Sequence, residues 1–238
     1  MTDEVLIERR GDVLAITLNR PEKGNLVNNK IGEKIISALA EIGSGVKLVR
    51  LQGNGPDFCR GRESPAIDRA NARAREFREK IADPALALYA AFMNCRAPVL
   101  GVVKGRAAGV GCTLAAICDL SVASEDAIFQ VPEMNRSIPP TLVMSAMVGR
   151  VPANAIAHLV LTREPIPAPR ARDLGIVGDV APAAEVDRRA DEIEARVLEC
   201  SAQSVQAVKE YLRMAPTMDQ SGRIAFAANL IATVLSSP

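Results

Sequence analysis

Tryptophan is absent from this 238-residue chain, and all aromatics together make up 3% of it. That leaves too few flat rings for a surface that binds nucleic acid by stacking. A single histidine, His158, stands within the apolar stretch 155–161. One histidine excludes an HExxH zinc site and makes a Ser-His-Asp triad depend on that residue alone; its surroundings suit a core or interface histidine better. No GxSxG occurs either. The five cysteines (Cys59, Cys95, Cys112, Cys118 and Cys200) are odd in number and form no CxxC pair, which argues against a disulfide framework or a metal site and fits a reducing compartment. Net charge is +1, so neither nucleic acid nor an anionic membrane is an expected partner. No apolar run approaches the roughly 20 residues of a membrane span. The start, MTDEVLIERRGD, carries acids where a signal peptide carries basic residues. A cytoplasmic protein is the expectation.

What is present is an ordinary globular balance, 48% hydrophobic and 24% charged. Residues 5–9 and 13–18 read as strands joined at Gly11-Asp12. Ile31, Ile35, Leu39 and Ile42 form a helical stripe over 28–42, and 46–51 is a strand. The polar, arginine-rich segment 66–80 reads as a solvated helix or a mobile stretch, and 83–93 as a helix. In the centre, the strand 98–103 leads through the small-residue turn 105–111 into an apolar helix at 112–118, followed by strands at 120–123 and 127–131. Strand–helix–strand alternation with short links predicts an α/β core. From Pro140 onward the chain reads as mostly helical, with the segment TREPIPAPRAR (162–172) as a loop and a boundary near residue 180: a core over 1–180 and a C-terminal helical region over 181–238.

The glycine turn Gly105-xxx-Gly109-x-Gly111 fails the dinucleotide pattern, since Leu114 stands where its third glycine belongs, and no Gly-Lys-Ser/Thr follows for a P-loop. Small residues do let a ligand approach the backbone, and the first N–H groups of a helix lack partners, which suits a developing oxyanion. Close strand–helix packing accounts for the same glycines equally well. Asp119 ends the apolar helix and reads as a local hydrogen-bonding residue. Glu133 follows Pro132 among apolar neighbours. A carboxylate there would have a raised pKa suited to acid/base work, although an acid opening a helix also serves to offset the helix dipole.

Four segments in register then resemble one family. Phe58-Cys59-Arg60-Gly61-Arg62-Glu63 resembles the F-x-x-G-x-D turn of the enoyl-CoA hydratase/isomerase (crotonase) family. Residues 105–119 (GRAAGVGCTLAAICD) resemble its second glycine turn and helix, Phe129-Gln130-Val131-Pro132-Glu133 its F-x-x-P-E segment, and residues 18–25 (LNRPEKGN) its N-terminal motif. The resemblance implies a crotonase-like α/β fold, a spiral of β-β-α units forming a mixed sheet core with a helical C-terminus. It also implies an acyl-CoA thioester substrate, whose coenzyme A takes the place of any separate cofactor; no metal; and a homotrimer or homohexamer. By position, the oxyanion hole would be the backbone N–H groups of Arg62 and Val110, with Gly61, Arg62, Glu63, Ser64, Pro65, Gly109 and Val110 binding substrate and Glu133 moving protons. Arg62, Lys23 or Lys104 would meet CoA phosphates or remain solvated cations. The family's hydratases use two glutamates, but Thr113 stands at the first position here, left to position water or substrate, and Val110 replaces a usual glycine. One carboxylate can carry a proton between two carbons, so double-bond isomerisation is expected ahead of hydration. Thioester hydrolysis and a non-catalytic acyl-CoA-binding subunit are the other readings. The apolar stretch 224–235 is expected to be buried, against the chain's own core or a second subunit.

Overall fold

The structure, a computed structural model, describes residues 3–68 and 70–236. Met1 and Thr2 of the acidic start, Arg69 of the polar segment, and Ser237 and Pro238 at the end of the helical region lie outside the described residues. The strands are β1 (Val5–Arg10), β2 (Val13–Leu18), β3 (Leu48–Gly53), β4 (Val99–Val103), β5 (Arg106–Ala108), β6 (Leu120–Ser124), β7 (Ile128–Gln130), β8 (Ile166–Pro167) and β9 (Asp179–Ala181). The helices are α1 (Asn29–Ala40), α2 (Ala74–Phe77), α3 (Asp83–Met93), α4 (Val110–Ile117), α5 (Thr141–Met147), α6 (Ala153–Thr162), α7 (Ala168–Asp173), α8 (Val186–Leu198), α9 (Ala202–Met214) and α10 (Gln220–Ser236).

Six strands form one sheet in the order β1-β2-β3-β4-β6-β9. Gly11, with φ of +59°, closes the β1–β2 hairpin, and every later pair in this sheet is parallel. Parallel strands covered on both faces need apolar residues in succession rather than alternation. The burial of Val99, Leu100, Val102 and Val103 in β4 follows that rule. One face packs against α1, α3 and α4 through Ile31, Ile35, Leu88, Phe92 and Leu114. The other, with Val13, Leu48, Leu100 and Val122, is closed by Val186 and Ala190 of α8. Arg50 of β3 is buried beneath α8 and reaches Asp191 at 2.6 Å and Glu194 at 3.3 Å. A second sheet, β5-β7-β8, stands beside the first, with β5 and β7 parallel.

The structure shifts several expectations. Asn28 is the N-cap of α1, its side chain accepting from the Ile31 amide, so the helix begins one residue after the start of the stripe. The region after Pro140 contains β8 and β9 as well as helices. Both strands are two or three residues long, too short to show any periodicity. His158 is half-exposed on α6, 3.7 Å from Glu164, rather than a core residue. Burial of 224–235 against the chain's own core does not occur: α10 has no buried residue. Ile224, Ile231 and Leu235 stand exposed on it, as do Val208 and Leu212 on α9. No described helix is long and apolar enough to cross a membrane.

Asp119 is the hydrogen-bonding residue expected of it. Its carboxylate accepts from the Val99 amide at 2.8 Å and from Lys209 at 2.7 Å, while Lys209, buried on α9, also donates to the Phe92 carbonyl at 3.2 Å. This pair ties the C-terminal helices to the sheet. Removing one partner of a buried pair strands the other charge, so Lys209→Met is expected to cost about 3 kcal/mol of stability, read from urea melts. The thiols give a second check. Cys59, Cys112 and Cys118 are pushed up to about 12 by burial, and burial raises Cys95 as well. Cys200 alone among the five is exposed. Ellman's reagent should therefore titrate one thiol in the native protein and the remaining four only on unfolding.

Candidate active site

Three turns meet at the edge of the small sheet. In the first, Phe58 and Cys59 are fully buried and fix the backbone: the Phe58 amide donates to Lys104, that of Cys59 to Arg106, and that of Ala108 back to Cys59, all within 3.0 Å. The chain then pairs with Val27, whose amide donates to Gly61 and whose carbonyl accepts from Glu63, both at 3.0 Å. In a parallel bridge both bonds fall on the residues flanking the bridged one. The N–H of Arg62, the bridged residue, therefore points away from Val27. Gly61 supports this bend with φ of +129°.

The second turn runs from β5 through Gly109, at φ of +52° and ψ of −114°, into α4. Its first helical residue is Val110, whose N–H has no carbonyl one turn earlier to bond and belongs to the unpartnered start of the helix. Gly111 lies so close to the Cys59 carbonyl that any side chain there would collide with backbone. The first and second turns are thus pressed together, and Arg62 and Val110 line one cavity of about 820 Å³.

The third turn brings the acid. Strand β7 lies in register with β5, Gln130 opposite Ala108, and accepts the Gly109 amide at 2.9 Å. The chain continues through Pro132 into a 3₁₀ turn, Glu133–Arg136, which Ser137 ends at φ of +53°. The Glu133 carboxylate consequently sits over Gly109, where a Cβ would come within 2.5 Å of Oε1. Its Oε2 is buried without a hydrogen-bond partner among the described residues. Burial raises its pKa above the ordinary glutamate value, opposed by a bond from its own amide and by the charge of Arg136.

Of the residues singled out from sequence, Arg62, Ser64, Pro65, Val110 and Glu133 line the cavity. Gly61 and Gly109 shape its backbone from behind. Glu63 turns away, its carboxylate held by Arg20 at 2.7 Å and Lys23 at 3.4 Å. Thr113 is fully buried, and its hydroxyl donates to the Gly109 carbonyl at 3.1 Å. Lys104 pairs with Asp187 at 2.5 Å, outside the cavity.

Two further side chains complete the cavity wall. Tyr89 of α3 forms part of the cavity wall, its phenol beside the Thr113 hydroxyl. Burial pushes that phenol up to about 12; Thr113 and the charge of Arg62 lower it, while Glu133 raises it. The Arg62 side chain is the second. Between α2 and α3, residues 78–82 form a π-helical turn, a widening that frees carbonyls and recurs at functional sites. The Arg62 guanidinium bonds the Ile81 carbonyl there, with Asn29 Oδ1 at 2.5 Å and the Lys80 carbonyl at 3.4 Å. The polar segment that reads as merely solvated is therefore the cavity's roof, contributing Ile67, Phe77 and Ile81.

Comparison with known proteins places the chain in a family. The family model for enoyl-CoA hydratase/isomerase matches residues 8–237. The 2,3-dehydroadipyl-CoA hydratase of Escherichia coli K12 is 29% identical over 230 residues, spanning 95% of this chain and 86% of the relative. The crystal structure of an enoyl-CoA hydratase from Mycobacterium smegmatis superposes with a TM-score of 0.90 at 28% identity, covering 100% of this chain and 93% of that one. A Thermobifida fusca structure in complex with CoA shares the fold at a TM-score of 0.87 and 23% identity, covering 98% of this chain and 93% of that one. With the family model matching nearly its whole length, the chain belongs to the enoyl-CoA hydratase/isomerase family.

Proposed function

We propose that this enzyme moves a proton between carbons of an enoyl-CoA thioester, converting a 3-enoyl to a 2-enoyl group. The observation that carries this reading is the lone carboxylate of Glu133, buried, unpartnered and facing the same cavity as Arg62 and Val110. The ionised Glu133 takes the proton from C2, and the charge moves into the thioester carbonyl as a dienolate. The N–H groups of Arg62 and Val110 hold that oxygen, each donor lowering the barrier by about 3 kcal/mol. Protonated Glu133 then returns the proton to C4. No cofactor beyond the substrate's own coenzyme A is needed. Thr113 supports isomerisation over hydration, because its hydroxyl hydrogen is committed to the Gly109 carbonyl rather than to a water. Hydration is the second reading, favoured by the names of the E. coli and M. smegmatis relatives. We place the enzyme in the cytoplasm, in keeping with its free thiols.

Glu133→Gln should leave CoA-thioester binding intact and slow exchange of the C2 proton with D₂O by about 10²–10⁴-fold; undiminished exchange overturns the mechanism. Incorporation of solvent ¹⁸O into a 3-hydroxyacyl product would select hydration instead. The pH dependence has a fixed sign. Only the ionised carboxylate accepts the proton, so the rate should fall as pH drops through a pKa raised above the ordinary glutamate value. Because the folded state holds that proton more tightly than the unfolded chain, wild-type stability should decline as pH rises from the ordinary glutamate range through the raised value. Glu133→Gln should lack that part of the slope.

The same reading gives the chain a trimeric or hexameric assembly through α9 and α10. Their exposed Val208, Leu212, Ile231 and Leu235 flank a groove lined by Ala207, Tyr211, Leu230 and Val234, an apolar surface suited to a subunit contact. Sedimentation should report a trimer or hexamer that Leu212→Glu breaks down; a wild-type monomer at all concentrations would reject it.

A further inference from the structure

The wall of the active-site cavity carries three arginines, Arg62, Arg78 and Arg136, and one acid, Glu133. Glu133 has its own task, so the cations are not there to neutralise it. Arg78 is answered by Asp83 at 3.1 Å, out in solvent. Arg136 stands exposed near the cavity mouth. Arg62 differs from both. Its guanidinium is half-buried and bonded to neutral acceptors only, the carbonyls of Ile81 and Lys80 and the Asn29 side-chain oxygen. No carboxylate pairs with it among the described residues. Burial holds its pKa below the usual arginine value, as expected of a desolvated cation lacking a counter-ion. Three neutral acceptors leave part of its five-donor fork unused.

Its place is as informative as its charge. The main-chain N–H of Arg62 faces the thioester oxygen in the reading above, and the guanidinium belongs to the same residue. A group bound by it lies no farther from the thioester than one arginine side chain. The wall of the same cavity includes the apolar side chains of Ile81, Ala85 and Val143 and the ring of Tyr89. A short run of methylene or vinylene carbons suits that surface.

We propose that Arg62 binds a carboxylate at the far end of the acyl group, making the substrate a short ω-carboxy-enoyl-CoA thioester. The proposal rests on the enoyl-CoA reading for its reacting end and extends it to the other end. A charge-assisted contact in a partly dry cavity discriminates strongly against a methyl terminus, which would leave the guanidinium facing hydrocarbon. The anion could instead be a CoA phosphate, the same chemistry from the opposite end of the molecule. Two thioesters differing only at the acyl terminus carry identical phosphates, so their ratio isolates the terminus.

The test compares kcat/KM for ω-carboxy and methyl-terminated enoyl-CoA thioesters of equal carbon count. Wild type is expected to favour the acid by roughly tenfold to hundredfold. Arg62→Gln should bring the ratio close to one, with Arg62→Lys between. A purely structural clamp on the π-turn would depress both substrates together and leave the ratio unchanged, which would overturn the proposal, as would a wild-type ratio of one or less. Calorimetry with the two saturated thioesters separates this from failure of the enzymatic reading. At least tenfold tighter wild-type binding of the ω-carboxyacyl-CoA upholds the anion site even if neither enoyl thioester turns over. Equal affinities overturn it.

Discussion

The whole site depends on one close approach, that of the Cys59 backbone to the start of α4. Gly111 permits it by having no side chain to strike the Cys59 carbonyl. The exchange of bonds between Cys59 and the residues of β5 then fixes its register. Everything else is placed relative to that contact. Residue 62 falls where its amide has no protein acceptor, residue 110 falls at the open start of a helix, and both reach one cavity. Neither needs a particular side chain for this purpose, which is why Val110 can stand in place of a glycine without removing a donor. Gly109 extends the logic by one residue. With a Cβ there the Glu133 carboxylate would be displaced, so the glycines that press the turns together also seat the acid.

Such a site works against stability, and the surrounding structure accommodates the cost. A carboxylate oxygen buried without a partner is unfavourable when ionised, and so is a half-buried guanidinium without a counter-ion. Each is held in place by backbone that other interactions over-determine: Phe58 and Cys59 in the core beneath Arg62, β7 paired in register beneath Glu133. The long-range pairs that do balance, Arg50 with Asp191 and Lys209 with Asp119, lie away from the cavity and secure α8 and α9 to the sheet. Charge is compensated where it holds the fold together, while Arg62 and Glu133 face the cavity without an ionic partner among the described residues.

How much of this was legible in the sequence depended on whether the signal was local. The helical stripe of α1, the apolar run of β4 and the hairpin at Gly11 announce themselves through periodicity and turn chemistry, and the structure places them within a residue or two. Glu133 stood out through the F-x-x-P-E resemblance of residues 129–133; its local setting after Pro132 suits a helix-dipole residue as well. β8 and β9 were not legible, because strands of two or three residues exist only through the pairing they complete. Tyr89 read as one more apolar position on a helix, and its proximity to Thr113 depends on how α3 packs against α4. The segment 66–80 was legible only as polar for a related reason: composition reports that one side is wet, and says nothing of Ile67 and Phe77 lining the cavity.

Arg62 shows why main-chain and side-chain chemistry at one residue should be weighed together. Its amide sits at the proposed oxyanion position whatever its side chain does, so a resemblance carried by glycine spacing is indifferent to arginine there. The guanidinium nevertheless spans from that turn to the π-turn of the roof and to α1, joining three elements that define the cavity's inner end. An alanine would leave the turn intact and those carbonyls unpaired. A lysine has one compact charged head where the planar fork reaches acceptors on two separate elements. Arginine therefore anchors the roof to the same residue that presents the amide.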